Sequence, residues 1–398
     1  MGGGAAGFFS AIEIASSIPS YHVTILEKSD KLLSKIKVSG GGRCNLTNAC
    51  FDVEELIKYY PRGSKELKSV FHKFNPADTI NWFESKGIKL KTENDNRVFP
   101  LSNSSETITN FFLQEAKNRN IEIIKDYSVE KIKKTEDGFI VNPESKFAIT
   151  FDKLIVATGG NSKPEFYSMF GKLGHTIVSP VPSLFTFNVD KHPLKGFEGI
   201  SLESVKIKIK DSKLSQKGAI LITHWGFSGP AVLKLSAFTA REINKTNYDF
   251  EIEINWIPET INIKKSLLEI KTKYPNQKIS SHTYFNLPIR LWKRLIELSG
   301  INEDLKWTET SSKKLNILVK VLTESVFRIK GKTTFKEEFV TAGGIYLKEV
   351  DFKTMESRIC NGLYFAGEVL DIDGITGGFN FQSAWSTAFL VAKAIIKL

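Results

Sequence analysis

The residues able to do chemistry in this 398-residue chain gather in a few glycine-rich segments. The first is Gly2-Gly-Gly-Ala-Ala-Gly7, a G-x-G-x-x-G spacing at Gly2, Gly4 and Gly7. That spacing suits pyrophosphate. Gly2 permits a tight turn, Gly4 brings bare backbone to the phosphate, and Gly7 lets a helix pack close to a sheet. Ala6 lies in the same turn and is counted with the expected cofactor contacts. Phe8, Ala11, Ile12 and Ala15 recur at helical spacing, so a helix follows, and its first N–H groups face the anion. Tyr21–Leu26 alternates as a strand and ends on Glu27, with Lys28 next. Glu27 stands 20 residues beyond Gly7, where an acid that binds ribose hydroxyls belongs.

The second segment runs from Lys35 to Asn48 and holds Gly40, Gly41 and Gly42 in a row. Three such glycines carry a backbone-entropy cost inside a helix or strand, so the segment reads as a loop whose N–H groups line an anion or a flat ring. Lys35 and Arg43 bracket it with charge suited to pyrophosphate, and Cys44, Asn45, Thr47 and Asn48 follow. A third segment is the predicted strand Leu154–Val156, which runs into Ala157-Thr158-Gly159-Gly160. Bare backbone at a strand end lets another group come close, and the same nucleotide is expected there. The fourth is C-terminal. A strand within 362–366 stops at Gly367-Glu368, which aims an acid at sugar-like hydroxyls. Asp371, Asp373, Gly374, Gly377, Gly378, Asn380 and Phe381 lead into an apolar helix from about Gln382. At a flavin this helix start would face the edge of the ring where negative charge appears on reduction, worth up to ~2 kcal/mol in a partly buried site.

The elements that must position these segments follow from the pattern. Residues 51–125 read as helices broken by loops, with Arg97–Pro100 a turn or a substrate-side element. Short strands are expected at Tyr127–Ile132 (including Val129, a further expected cofactor contact), 139–141, 147–151 and 154–156. Pro180-Val-Pro182 marks a boundary, and period-2 strands follow at 205–210, 219–223 and 250–255. Gly229-Pro230 opens a helix, with His224, Trp225 and Ser228 just before it as candidates for catalysis or capping. The organisation is therefore an α/β nucleotide-binding domain over 1–185, an inserted β domain over 186–257 and a helical subdomain over 258–325. A return strand of the insertion over 326–345 leads to completion of the first domain by 346–398. One element is out of place. The first strand of such a sheet is central, yet Met1 directly precedes Gly2, so the native chain is expected to carry about five to eight residues ahead of Met1.

Composition narrows the function. No apolar run has the length of a membrane span, and no secretory leader is visible. Ala6 stands where a myristoylation signal wants Ser or Thr, so a cytoplasmic protein is expected. Cys44, Cys50 and Cys360 make neither a disulfide framework nor a dithiol centre. The six histidines form no ligand pair, so no metal is expected. The net charge of +11 comes from lysines spread along the sequence, and a solvated basic surface without a nucleic-acid partner is expected. Nothing in the sequence bears on oligomeric state.

Gly2–Gly7, Ser39–Asn48, Ala157–Gly160, Thr341-Ala-Gly-Gly344 and Gly362–Gln382 together closely resemble the BaiN-type NAD(P)/FAD-dependent oxidoreductases, whose relatives include 3-dehydro-bile-acid reductases and aminoacetone oxidase. The resemblance spans the chain. It implies a glutathione-reductase-type FAD domain with an inserted β-barrel and helical subdomain. It also implies FAD contacts at Gly4, Gly7, Glu27, Lys35, Gly42, Arg43, Gly367, Glu368 and Asn380. The segment Asn161–Tyr167 is shorter than the loop many relatives carry there. With flavin as the redox group, hydride transfer at its N5 is expected. No second G-x-G-x-x-G marks a nicotinamide domain. Either NAD(P)H visits the flavin transiently, or a small organic substrate reduces it and O2 reoxidises it. No His or Cys stands out as acid or base, and Cys44 reads as a packed thiol. A basic flavoprotein that binds or modifies RNA, and a non-catalytic flavin-binding protein, are the alternatives.

Overall fold

In a computed structural model, residues 1–142, 144–333 and 340–397 are described. The chain forms two compact units, Met1–Ser183 with Phe335–Leu398, and Leu184–Thr334.

The first unit is built on two apolar helices, Ala5–Ser17 and Phe379–Ile396, which pack together although they lie at opposite ends of the sequence. Both bury residues around most of their circumference, as helices enclosed on several sides must. Small residues on the first (Ala6, Gly7, Ala11, Ala15) allow close approach, while Trp385 and Phe9 fill the space around them. Strand Thr24–Leu26 pairs in parallel with Glu122–Ile124, and Leu154–Val156 pairs in parallel with Leu363–Phe365. Met1 and Gly2 bridge these two pairs. The Met1 nitrogen donates to Ile155 O at 2.9 Å, Ala157 N donates to Met1 O at 2.9 Å, and Gly2 N donates to Leu26 O at 2.7 Å. Among the described residues, nothing else occupies the place of a central strand.

Two local expectations change. The stretch 51–125 holds the expected helices, such as Pro76–Ser85 with its Asn75/Asp78 capping box. It also contains a hairpin, Leu90–Thr92 with Arg97–Pro100, that adds to Thr47–Asn48. Asn96 turns this hairpin at φ 64°. The strand expected over Tyr127–Ile132 starts only at Ile132. The amides of Glu130 and Lys131 donate to the Asn142 side chain, at 2.8 and 3.2 Å, instead of joining a ladder.

The second unit is a closed six-stranded barrel, in spatial order Thr186–Val189, Gly226–Ser228, Ser215–Ile222, Ser201–Ile209, Asp249–Asn255 and Ser325–Thr333. Alternate residues such as Val205, Ile207, Ile252 and Ile254 point inward, the period-2 pattern the sequence shows. The helices Ile263–Lys273, Ile289–Leu298 and Ser312–Thr323 share one core with the barrel, centred on Trp256, Trp292 and Trp307. The expected return over 326–345 is divided. Ser325–Thr333 closes the barrel, whereas Val340–Ile345 pairs antiparallel with Ile177–Ser183 in the first unit. Residues 334–339 lie outside the described residues.

Ser228 is a strand residue rather than a helix cap. Gly229 caps Pro230–Phe238 with φ 99°, where a Cβ would stand 2.9 Å from Ala219 O. His224 is exposed beside Glu198 (3.4 Å), and Trp225 donates to Thr186 Oγ1 at 3.0 Å. No helix among the described residues is long and apolar enough to cross a membrane.

The basic residues, spread along the sequence, are not shared evenly between the units. Residues 184–334 hold 25 of the 55 Lys and Arg but only 15 of the 44 Asp and Glu. That unit therefore carries +10 of the net +11.

Candidate functional site

The site begins at the Gly2–Gly7 turn, whose glycines divide into two kinds. A Cβ on Gly2 would lie 2.4 Å from Ala157 O, and one on Gly7 would lie 2.0 Å from Gly2 O. These two exist for backbone packing. A Cβ on Gly4 would meet nothing within 4 Å, so Gly4 faces open space. The helix it starts has no side-chain cap and no acid in its first turn. Its N–H groups are left for a ligand, and the positive end of its dipole for a negative one. Glu27, at the end of Thr24–Leu26, is locked beside this turn. It accepts from Gly3 N at 2.8 Å, Ser29 N at 3.1 Å and Ser29 Oγ at 3.1 Å. Lys28 next to it is exposed, and Val129 is buried.

Two further segments close on the same turn. A Cβ on Gly367 would lie 3.5 Å from Ala6 Cβ, and Gly2 adjoins Ala157-Thr158. Glu368 then organises a polar cluster. Its carboxylate pairs with Lys35 Nζ at 2.6 Å and accepts from Thr341 N at 3.1 Å. Gly159, at φ 73°, and Gly160 leave room for it. A Cβ on Gly160 would strike Thr341 Cβ at 2.8 Å. Thr158 Oγ1 contacts Gly159 O at 3.4 Å. The Thr341 hydroxyl is buried here without a partner among the described residues, a costly arrangement that a ligand group would relieve.

The Gly40–Gly42 loop has the form the sequence implies. Its glycines have φ 59°, 69° and 83°, and they break the helical stretch Ser34–Gly42. Gly40 is required by crowding, since a Cβ would meet Phe99 at 2.9 Å, whereas Gly41 faces open space. Cys44 follows with φ 62°. Burial pushes its thiol up to about 12, so it is an unreactive packed group. Arg43, expected to face pyrophosphate, is held by protein partners. Its guanidinium pairs with Glu93 at 2.6 Å and lies 4.0 Å over the Phe99 ring. Glu93 is far from the loop in sequence, and nothing local announces the pair.

The C-terminal segment is fitted to this loop. With its amide turned to satisfy its neighbours, Asn45 donates to Thr47 O at 3.1 Å and accepts from Gly378 N at 3.0 Å. A Cβ on Gly378 would lie 2.4 Å from Thr47 O, and Gly377 O accepts from Asn48 Nδ2 at 3.1 Å. Asn380 brackets Gly374 through two bonds, at 2.8 and 2.9 Å, so its amide shapes the loop. Phe381 stacks on Trp385, and Asp371 is buried with its amide on Ile345 O at 3.1 Å. Asp373, from the same acidic pair, turns inward. It forms a buried two-pronged pair with Arg62 and accepts from Ser183 Oγ. Burial pushes its carboxyl above the usual range, and Arg62 pulls the other way.

The donor set fits a dinucleotide. It offers an open glycine turn at an uncapped helix, an acid held beside that turn, and a lysine–glutamate pair with an orphaned hydroxyl at the neighbouring strand ends. Together with parallel strand pairs and two enclosing helices, this defines a Rossmann-type nucleotide-binding protein with an inserted barrel. The chain belongs to the HI0933-like protein Rossmann domain family, whose description matches residues 1–394. It is 28% identical over 404 residues to the 3-dehydro-bile acid delta(4,6)-reductase of Clostridium scindens, covering 99% of this chain and 97% of that protein. It is 31% identical over 406 residues to the ribosomal RNA dihydrouridine synthase of Haemophilus influenzae, covering 99% and 97%. In fold it is similar to the 3-ketosteroid delta1-dehydrogenase of Sterolibacterium denitrificans, with TM-score 0.52 and 10% identity, covering 100% and 98%. The chain is a flavoprotein of the FAD-dependent oxidoreductases, and the BaiN-type resemblance is borne out.

Proposed function

We propose that the chain saturates a carbon–carbon double bond conjugated to a carbonyl, using FAD with NAD(P)H as reductant, in the cytoplasm. One observation carries this reading. Two relatives that match over nearly their whole length have unlike substrates and a common change. A delta(4,6)-reductase removes double bonds from a 3-dehydro bile acid, and a dihydrouridine synthase leaves a uracil ring without its C=C. Saturating such a bond adds a hydride to one carbon and a proton to its neighbour, with the conjugated carbonyl accepting the developing charge.

Bound FAD supplies the hydride-carrying group. The protein holds and tunes it. The Gly4 turn and the helix behind it cradle the pyrophosphate, and Glu27 takes the ribose hydroxyls. Lys35, Glu368, the Thr158–Gly160 turn and Thr341 hold polar groups at the neighbouring strand ends. Gly41 and Gly42 keep backbone, rather than side chains, against the ligand, while Gly377 and Gly378 let the C-terminal loop pack against Phe379 and Thr47.

Two sources of the conjugated bond fit this chemistry, a free small molecule and a uridine within ribosomal RNA. The concentration of +10 on residues 184–334 favours the RNA reading.

The test is anaerobic. The FAD-loaded protein is mixed with NADH or NADPH and the flavin absorbance followed. The reduced protein is then offered a 3-oxo-4-ene steroid, a simple cyclic enone or unmodified ribosomal RNA. Bleaching by a nicotinamide and recovery with one acceptor are expected. A flavin that neither nicotinamide bleaches would sink the reading and favour a non-catalytic flavin protein.

A further inference from the structure

Within Leu184–Thr334, the barrel strands carry little of the excess charge, with six Lys and Arg against four acids. Four of the barrel's cations are paired with acids: Lys208 with Glu253 at 2.9 Å, Lys210 with Glu251 at 2.6 Å and Arg328 with Asp249 at 2.9 Å across neighbouring strands, and Lys217 with Glu259 of the following loop at 2.5 Å. The three helices of the unit differ. Ile263–Lys273, Ile289–Leu298 and Ser312–Thr323 together hold ten Lys and Arg against two acids, Glu269 and Glu297. Ser312–Thr323 has no acid at all.

The helices pack side by side, with Ser312–Thr323 against both others. Amphipathicity decides where the charge goes. Leu267, Leu291, Trp292, Leu295, Leu315 and Leu318 are buried in the core. The opposite faces expose Lys264, Lys265, Lys273, Lys293, Lys313 and Lys320. One acid is engaged closely, Glu297 with Arg294 at 2.6 Å, while Glu269 stands 3.9 Å from Lys265.

We propose that the outward face of these three helices is a docking surface for the phosphate backbone of RNA. This rests on the RNA reading given under Proposed function and locates its contact. Phosphate contacts need flexible cations at intervals and no shaped pocket, which is what a helical layer of exposed lysines provides. A membrane surface would instead require an outward aromatic or broad apolar face. Here Trp292 and Trp307 point into the core, and the apolar residues left exposed on the helices are single ones such as Leu268 and Ile317.

The experiment uses the full FAD-loaded chain and a fluorescent, in-vitro-transcribed ribosomal RNA fragment, titrated between 50 and 200 mM salt, conditions over which phosphate contacts weaken steeply (affinity falls about 10³–10⁵-fold for six to ten contacts). The wild type is expected to bind with a steep salt dependence. The variant Lys265→Gln, Lys293→Gln, Lys313→Gln, Lys320→Gln is expected to lose at least about tenfold in affinity. Its log–log salt slope should flatten by roughly 3, at ~0.7 per phosphate lost from a single strand. A second variant neutralising the barrel lysines Lys206, Lys213 and Lys217 should bind nearly as the wild type does. Far-ultraviolet circular dichroism and thermal unfolding check that each variant is folded, and reduction by nicotinamide checks that its flavin site is intact. If the wild type binds RNA steeply and the helix variant binds equally well, the face is wrong and the RNA reading survives. If the wild type reduces an enone but binds no RNA, or binds only phosphatidylglycerol vesicles, both the face and the RNA reading fall while the reductase reading stands.

Discussion

At the scale of single residues, the glycines of the nucleotide turn separate packing from binding. Gly4 has ordinary extended geometry (φ −101°) and open space where a Cβ would go. Gly4→Ala should therefore fold with nearly unchanged thermal stability and lose FAD affinity by tenfold or more, because the methyl occupies ligand space. Gly7→Ala places a methyl 2.0 Å from the Gly2 carbonyl, and no flexible side chain can yield there. It should lose at least the ~1–3 kcal/mol typical of overpacking, with or without FAD. Differential scanning fluorimetry and flavin titration read the two effects separately. Equal loss of stability in both variants would mean that Gly4 is also a packing residue. The spacing G-x-G-x-x-G announced the turn but not this division, because the crowding comes from Gly2 O and Ala157, and Ala157 is brought there by folding.

At the scale of elements, the loops that complete the site are pinned by partners no local pattern reveals. Arg62 and Asp373 lie 311 residues apart and form the buried pair that fixes the loop ahead of Gly374. Breaking one side leaves a buried charge, so Asp373→Asn or Arg62→Met should each cost ~3–5 kcal/mol in urea denaturation. The double variant Arg62→Met, Asp373→Leu should recover much of that loss. Single costs that simply add would refute the pairing argument. A second pin is the array Ser357, His175 and Glu349. His175 Nε2 lies 3.0 Å from Ser357 Oγ, and its Nδ1 lies 3.4 Å from Glu349. It has the outline of a nucleophile triad, but Ser357 Oγ is committed to the amides of Ile359 and Cys360 at 3.0 and 2.8 Å. The array is a staple. Burial holds His175 below its ordinary 6.5, against the opposing pull of Glu349, and burial does the same to His192. In acid, the unfolded chain takes up these protons before the folded one does. Stability contributed by the neutral rings is full above pH 6.5 and declines as pH falls below it. Denaturant midpoints at pH 7.5 and 5.5 should differ less for His175→Gln than for the wild type, and an unchanged difference would remove His175 from the account. The helices and barrel strands were legible because their hydrophobic periods run over many residues. The hairpin Leu90–Pro100 and the displaced strand near Ile132 were not, because each is too short for a period and is decided by one side chain, Asn96 or Asn142.

At the scale of the whole molecule, the sequence is divided unevenly in chemistry as well as in space. The first unit holds every glycine turn that fits the nucleotide and is close to neutral, while the second has its own core and nearly all the net charge. The +11 total was visible from composition. Its partition was not, because it depends on where the chain leaves one unit and enters the other, at Ser183/Leu184 and Thr334/Phe335. The division predicts how binding energy is distributed. A ligand that binds only the folded state at a hundredfold excess over its Kd stabilises it by ~2.7 kcal/mol, and only cooperative units that include its contacts feel the whole of that. Hydrogen exchange with and without FAD should therefore show slowed amides at Gly3–Gly7, Gly41–Asn45, Thr158–Gly160 and Gly367–Gly378. Exchange in the barrel strands Ser201–Ile209 and Asp249–Asn255 should stay within about twofold. RNA should give the complementary pattern, with protection on Ile263–Lys273, Ile289–Leu298 and Ser312–Thr323 and none at the nucleotide turn. If FAD slowed both units equally, they would unfold as one, and the separation of redox chemistry from docking charge would not extend to energetics.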